Sequence, residues 1–136
     1  MRRLLIATAF ALGMTFTAAG VAGANPVPDP PFVAQAEWVH WGDLSSLRVY
    51  PTQAGRDAAG ELGTVAQADE AWTEILTLSP DAAIPGMREQ FMCHWKFAEI
   101  AQPGKTSWNL EPWRPEVDDA QMLAAGCNPG GTEEPF

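Results

Sequence analysis

The sequence is short of basic residues, and this shortage limits the partners that the chain can have. Lysine and arginine together number 8 against 17 aspartates and glutamates, which gives the 136-residue chain a formal charge of −9. Phosphate backbones and anionic lipid surfaces repel a chain of this charge, so we expect no nucleic-acid partner. A chain of this length also has room for only one domain with a modest core.

Sequence signatures of common catalytic sites are missing as well. We find no GxSxG, HExxH, Walker glycine loop or dinucleotide-binding fingerprint. Only two histidines and two cysteines are present, and the cysteines lack CxxC spacing, so the sequence predicts neither a metal site nor a cofactor. These absences favour a non-catalytic role.

No apolar run is long enough to span a bilayer, although a shorter one lies near the N terminus. It extends over residues 4–17 behind Arg2 and Arg3, whereas a spanning helix needs about 20 apolar residues. Ala22-Gly23-Ala24 has the small-x-small form of a signal-peptidase site, so we interpret residues 1–24 as a signal peptide cleaved before Asn25. The remainder has 6 basic and 17 acidic residues, a charge of −11. We expect an exported protein, secreted or in the cell envelope, without stable membrane insertion after cleavage.

Export changes the interpretation of the two cysteines. In an oxidising compartment Cys93 and Cys127 form a natural disulfide pair. The bond closes a loop of about 35 residues, which corresponds to roughly 3–4 kcal/mol of stability in the chain-entropy treatment. The alternative is that Cys93, next to His94, is a nucleophilic thiol. Oxidation to a disulfide would abolish this reactivity.

Composition divides the rest of the chain into three parts. Residues 25–35 are rich in proline and predict an extended linker. Residues 36–127 contain the apolar periodicity and predict a single globular domain. Residues 128–136 combine glycine, proline and acids with little to bury, so we expect a flexible tail.

Two stretches at the start of the domain predict a β-hairpin. Residues 37–41 and 44–52 are rich in strand-forming side chains and flank Gly42-Asp43, which suits a two-residue type II′ turn. Residues 53–63 follow with three glycines and no clear period, so we expect a loop or a frayed turn there.

The first helix is predicted to begin at Thr64. Thr64 and Gln67 have the spacing of a capping box, in which the hydroxyl accepts a hydrogen bond from the third helical amide. The helix should end at Ser79, because the residue before Pro80 is disfavoured in the α region.

The second helical stretch, residues 86–101, is ambiguous. A helix places four side chains on one face: Met87, Phe91, Trp95 and Ala98. A strand over 91–97 instead places residues 91, 93, 95 and 97 on one face and residues 92, 94 and 96 on the other. We prefer the helix, since strands as long as this stretch are uncommon.

The prolines of residues 102–116 predict an irregular segment that Trp108, Leu110 and Trp113 fix to the domain. Asp118 and Gln121 then predict a capped short helix that ends at Gly126. The fold class is therefore α+β, with an N-terminal hairpin packed on two or three helices and one disulfide.

Several short motifs in the C-terminal half have a characteristic order: Cys93-His94, then Phe97-Ala98, then the octapeptide WNLEPWRP at 108–115, then Cys127-Asn128-Pro129. In these motifs the chain resembles a small domain-of-unknown-function family of exported proteins in actinobacteria and other Gram-positive bacteria. The resemblance implies secretion and a disulfide-containing domain, and it assigns no catalytic role.

His94 is the residue best suited to act as a general base, because imidazole titrates near neutral pH. Glu111 could orient its ring and Arg114 could stabilise an anion, which together would make a small secreted hydrolase. The alternative, which we favour, is a buried histidine, because a helix over 86–101 places His94 in the middle of the apolar face. We expect His40, in the hairpin, to be a surface residue.

Trp108, Trp113 and Arg114 are the candidate ligand-binding residues. A tryptophan on a proline-rich segment can anchor the loop to the core or offer a stacking platform to a sugar or peptide. Arg114 with Glu111 can likewise form an anion clamp, or Arg114 can satisfy loop carbonyls and stack on Trp113, which we favour. The sequence thus predicts a monomeric, non-catalytic module that binds an unknown ligand of the envelope or extracellular space.

Overall fold

The computed structural model describes Gly23 and residues 26–131. The predicted signal peptide, apart from Gly23, and the last five residues of the predicted tail lie outside this part. The strands are β1 (Val33–Trp41), β2 (Leu44–Pro51) and β3 (Trp108–Leu110), and the helices are α1 (Gln53–Ala59), α2 (Val65–Leu78), α3 (Met87–Ala101) and α4 (Asp119–Ala124). A 3-10 turn, Pro80–Ala82, separates α2 from α3. The predicted α+β class is confirmed.

The predicted hairpin forms β1 and β2. In the turn, φ is positive at Gly42 (+56°) but not at Asp43. A type II′ turn requires this combination. The antiparallel register sets Trp38 opposite Leu47. These side chains face the helices, so the inner face of the sheet is apolar. β1 begins at Val33, three residues before the domain boundary that composition suggests.

The segment predicted to be irregular contains the third strand. β3 pairs antiparallel with β2, with Trp108 opposite Val49 and Leu110 opposite Leu47, so β2 is the central strand of the sheet. A strand of three residues is too short to show an alternating pattern, and all three are buried. The prediction for residues 102–116 is therefore wrong at β3.

The prediction of a loop at 53–63 is wrong, because its first half is α1. The Thr52 hydroxyl accepts a hydrogen bond from the Gly55 amide at 2.9 Å and caps the helix. Gly55 lies against the backbone just before β1, where an added Cβ would be 2.2 Å from the Phe32 carbonyl oxygen. This glycine therefore allows a close approach between two backbones and does not mark a loop.

Helix α2 begins and ends where predicted, but its N terminus lacks the predicted capping box. The Thr64 hydroxyl accepts a hydrogen bond from Trp95 Nε1 at 3.0 Å and donates to the Ala58 carbonyl at 2.9 Å. Because these partners occupy the hydroxyl, it does not cap the helix. Thr64 instead connects the start of α2 to α1 and α3.

Residues 87–101 form the helix α3, so the strand alternative is wrong. Phe91 and Trp95 pack against Trp108 of β3, with ring centroids about 6.1 Å apart in both pairs. Trp72 of α2 lies 5.8 Å from Phe91 and extends the cluster. The main core thus lies between the inner face of the sheet and helices α2 and α3.

A second, smaller apolar cluster joins α3 to α4. The predicted disulfide between Cys93 and Cys127 is confirmed, with a Cα–Cα distance of 5.6 Å. The two cysteines pack with Met122, and Phe97 and Val117 lie beside them. Asp118 and Gln121 form the predicted capping box of α4, and Gly126 ends the helix with a φ of +58°. Among residues 26–131, no helix combines the length and hydrophobicity that crossing a bilayer requires.

Candidate functional site

Glu111 is a fully buried carboxylate immediately after β3. One of its oxygens accepts a hydrogen bond from the Ser46 hydroxyl on β2 at 3.0 Å. The other oxygen accepts from Arg114 Nε at 2.7 Å, and both side chains of this ion pair are 0% exposed. Burial of a charged pair is tolerated because each charge has its counterion and additional hydrogen bonds.

Arg114 connects this carboxylate to the end of the described chain. Its NH1 donates to the Pro129 carbonyl at 3.1 Å and to the Gly131 carbonyl at 3.0 Å. The guanidinium carbon also lies 4.6 Å from the centre of the Trp113 ring, a cation–π distance. Residues 129–131, which composition places in a flexible tail, are therefore attached to the sheet by a buried side chain.

Gln90 adds a link from α3 that the sequence does not indicate. Its side-chain amide donates to the Glu111 carbonyl at 2.9 Å, and its side-chain oxygen accepts from the Glu111 amide at 2.9 Å. The side chain thus satisfies both backbone groups of Glu111, as a neighbouring strand would. Together, Ser46, Gln90, Glu111 and Arg114 form what we call the Glu111 network, which joins β2, α3, the segment after β3 and the C-terminal segment.

His94 lies beside the Glu111 network, but its hydrogen bond is to its own helix. Its Nδ1 is 2.8 Å from the Gln90 carbonyl, so Nδ1 donates and the Nε2 of the neutral ring is an acceptor. Only 4% of the residue is exposed. Burial lowers the pKa of His94 from 6.5 to about 4; the hydrogen bond to Gln90 opposes this shift, and the charges of Lys105 and Arg114 add to it. Within the described chain no hydrogen bond joins His94 to Glu111.

The lowered pKa of His94 predicts a loss of stability in acid. The unfolded chain, with a histidine pKa of 6.5, binds the proton before the folded chain does. The contribution of His94 to stability is therefore complete above pH 6.5 and falls by about 3 kcal/mol as the pH drops to 4. Urea denaturation at several pH values between 4 and 7.5 measures this fall.

A comparison with two variants separates the contribution of His94 from the pH dependence of the rest of the protein. His94→Gln should show a clearly smaller loss of stability between pH 6.5 and 5. His40→Gln, which changes an exposed histidine, should keep the slope of the unmodified protein. An identical slope in His94→Gln would contradict the assignment.

The three candidate ligand-binding residues differ in exposure. Trp108 is 0% exposed and Arg114 is buried, so neither offers a surface to a ligand in this structure. Trp113 is half-buried, and its Nε1 donates to the Ser45 carbonyl at 3.0 Å. Trp38 is also half-buried and donates from Nε1 to Asp81 at 3.0 Å. These hydrogen bonds place the tryptophan side chains in structural contacts.

Among the described residues, Lys105 is a second ionisable group whose pKa is shifted. Partial burial lowers the pKa of Lys105, and the charge of Glu111 partly opposes this effect.

In the described residues no group of three or more His, Cys, Asp or Glu side chains is arranged to hold a metal ion. The roles of Ser46 and Gln90 could not be predicted from the sequence, because both side chains pair with a residue that is far away in the chain.

Comparisons with known proteins identify relatives without assigning an activity. A family model described as "Protein of unknown function (DUF2599)" matches residues 33–130. Proteins named as uncharacterized in Mycobacterium tuberculosis and Mycobacterium bovis are each 62% identical over 112 residues, which cover 82% of this chain and 75% of the relative. One from Mycobacterium leprae is 52% identical over 109 residues, which cover 80% of this chain and 88% of the relative. No solved structure matches the chain significantly.

Proposed function

The chain belongs to the DUF2599 family of proteins of unknown function, and from this premise we propose that it is an exported, non-catalytic binding module of the cell envelope or extracellular space. The disulfide supports export, because such bonds persist mainly in oxidising compartments. The arrangement of residues 1–24 as a charged start, an apolar run and a small-residue cleavage motif supports it independently.

The buried Glu111 network is the observation that carries the non-catalytic part of the proposal. A hydrolytic site needs its base, orienting group and anion-binding group to face a substrate. Here His94 and Arg114 are each 4% exposed and Glu111 is 0% exposed. Glu111 and Arg114 are hydrogen-bonded to Ser46 and to the carbonyls of residues 129 and 131. Their polar atoms therefore hold the fold together.

The secreted form of the protein tests the proposal. Mass spectrometry of the protein recovered from the culture medium should show a chain that starts at Asn25 and is lighter by two hydrogens than its reduced form. The same preparation should give no saturable turnover of chromogenic esters, phosphodiesters or glycosides above the buffer rate, because the candidate catalytic groups His94, Glu111 and Arg114 are buried.

Two histidine variants provide the control for any residual hydrolysis. A contaminating enzyme gives the same rate with His94→Gln, with His40→Gln and with the unmodified protein. A rate that disappears only in His94→Gln would establish the hydrolase that uses His94, Glu111 and Arg114. A chain retained in the cell with residues 1–24 attached would instead contradict export.

A further inference from the structure

An apolar groove lies between the C-terminal half of α3 and α4, and we call it the α3–α4 groove. Its volume is about 490 Å³, within the usual range of small-molecule sites. Phe97 and Ile100 of α3 and Leu123 of α4 form its apolar walls, and His94 and Asn128 also line it. It is therefore a concave site with apolar walls and a few polar groups.

The apolar walls of the groove are partly open to solvent. Ile100 is 71% exposed and Leu123 is 52% exposed, and these side chains line the same space from two different helices. Single exposed apolar side chains are common on protein surfaces, whereas groups of them around one groove are typical of binding sites. An occupant that covers them removes apolar surface from water, which is favourable in proportion to the area covered. The walls therefore favour an occupant with an apolar body.

His94 contributes a hydrogen-bond acceptor that has no donor. Its Nδ1 donates to the Gln90 carbonyl of its own helix at 2.8 Å, so Nε2, at the end of the ring farther from the helix backbone, has a free lone pair. Burial lowers the pKa of His94 to about 4, so the ring is neutral near pH 7. Among the described residues none donates to Nε2, and this includes Lys105, which lines the same groove. Because the residue is only 4% exposed, water hydrates this acceptor poorly.

Asn128 contributes a second acceptor of this kind. Its side-chain nitrogen donates to the Gly126 carbonyl at 3.1 Å, and its Oδ1 has no hydrogen-bond partner in the described part of the chain. Buried acceptors without a partner are uncommon, because each has lost its hydrogen bond to water without a replacement. Two such acceptors along one groove favour an occupant that donates hydrogen bonds.

The acceptor at His94 selects among the polar groups that an apolar ligand can have. A carboxylate has acceptors only, so at Nε2 it would place two lone pairs against each other. An ammonium group donates, but burying its charge beside apolar walls costs far more free energy than burying a neutral hydroxyl. A hydroxyl donates its proton to Nε2, and such a hydrogen bond is stronger in a poorly hydrated site than in water. The site therefore favours a neutral hydroxyl group.

We propose that the α3–α4 groove binds a neutral apolar molecule with one hydroxyl group, whose apolar body lies along Phe97, Ile100 and Leu123 and whose hydroxyl donates to Nε2 of His94. This inference rests on the proposed function, because it names the ligand class of the binding module. With a pKa of about 4, His94 is too weak a base to remove the proton of the bound hydroxyl. Binding of this kind therefore agrees with a non-catalytic role.

Two isomers that differ in the hydrogen-bond donor are the direct probe. Octan-1-ol has a hydroxyl, whereas 1-methoxyheptane has the same composition and an ether oxygen that only accepts. In NMR titrations of the oxidised protein near pH 7, octan-1-ol should bind saturably at one site below its solubility limit. It should bind at least tenfold more tightly than 1-methoxyheptane, because the ether leaves Nε2 without a donor. Heptan-1-ol and hexan-1-ol should bind about fourfold more weakly for each methylene removed.

The nitrogen-15 resonance of His94 Nε2 reports the proposed contact directly. It should move when octan-1-ol saturates the site, because the lone pair then accepts a hydrogen bond, and it should stay in place with 1-methoxyheptane. His40, the exposed histidine of the hairpin, is the internal control, and neither ligand should move its resonances. A His94 resonance that octan-1-ol leaves unchanged would contradict the contact.

Two variants with matched controls locate the site. His94→Phe keeps an aromatic ring without the acceptor, so it should remove the preference for octan-1-ol over 1-methoxyheptane, whereas His40→Phe should keep that preference. Ile100→Gln should weaken octan-1-ol binding about tenfold, because it replaces an apolar wall with a polar side chain. Leu78→Gln changes a side chain that is 49% exposed at the end of α2, outside the groove, and should leave the affinity unchanged. If His94→Phe fails to fold, Ile100→Gln and the nitrogen-15 measurement decide the question.

Four results would overturn the proposal. The first is the absence of saturable octan-1-ol binding, and the second is equal or tighter binding of 1-methoxyheptane, octanoate or octylammonium. The third is binding that occurs only after truncation at Gly131, because residues 132–136 would then be the occupant. The fourth is a dimer that Ile100→Gln dissociates, since a second copy would then cover the groove. Each of these leaves the binding module intact, whereas turnover that depends on His94 overturns the module itself.

Discussion

Replacing Arg114 with methionine is expected to lower the free energy of unfolding by about 3–5 kcal/mol, measured by urea denaturation at pH 7. The substitution leaves the Glu111 carboxylate buried without a counterion, and its side chain is 0% exposed. It also removes the donor to the carbonyls of Pro129 and Gly131. For a domain of this size the expected loss is a large part of the total stability.

A double variant separates the loss of the pair from the loss of packing. Arg114→Met combined with Glu111→Leu removes both charges, and replacing a buried pair as a whole is often nearly neutral. We therefore expect the double variant to be more stable than Arg114→Met alone. Arg88→Met is the matched control: its pair with Asp69 is about half exposed, so a change of less than about 1 kcal/mol is expected. Additive losses in the double variant would contradict the coupling.

The elements that the sequence predicted correctly are those with a local pattern. Helix α3 shows a helical period over its whole length, and the ends of α4 have their own capping residues, Asp118 and Gly126. The turn at Gly42 has the residue types that its geometry requires. The disulfide could be predicted for a different reason: the chain has only two cysteines, so only one pairing is possible.

The elements that the sequence missed depend on contacts between distant segments. Gly55 lies inside a helix because a backbone carbonyl before β1 leaves no room for a Cβ. The hydroxyl of Thr64 accepts a hydrogen bond from Trp95 across the core. The capping-box spacing is therefore present in the sequence, but the hydroxyl does not cap the helix. β3 is a strand because β2 offers it a pairing edge. No local pattern specifies these three outcomes.

In the candidate site, too, only the contacts between residues close in sequence could be predicted. For Arg114 the sequence offered two interpretations: an ion pair or anion clamp with Glu111, or a side chain that satisfies loop carbonyls and stacks on Trp113. The structure contains the ion pair together with hydrogen bonds to the carbonyls of residues 129 and 131. The contributions of Ser46 and Gln90 arise only when β2 and α3 meet the segment after β3. Ile100 of α3 and Leu123 of α4 likewise line the same cavity only because of the tertiary packing, since they are far apart in the sequence.

Removing the disulfide should lower the free energy of unfolding by about 4 kcal/mol. The bond closes a loop with a sequence separation of 34, and this value is the chain-entropy contribution for a loop of that length. Reduced protein and the Cys93→Ala/Cys127→Ala variant should agree in urea denaturation, because the loss comes from the missing covalent link. A change below about 1 kcal/mol in both would contradict the prediction.

Removing the disulfide should destabilise α4 before it unfolds the whole domain, because few other contacts hold this helix. Its only fully buried apolar side chain is Met122, in the small cluster apart from the main core. Hydrogen exchange after reduction should therefore lose protection first in α4, while the amides of α2 remain protected. Unchanged protection of α4 after reduction would show that packing alone fixes this helix.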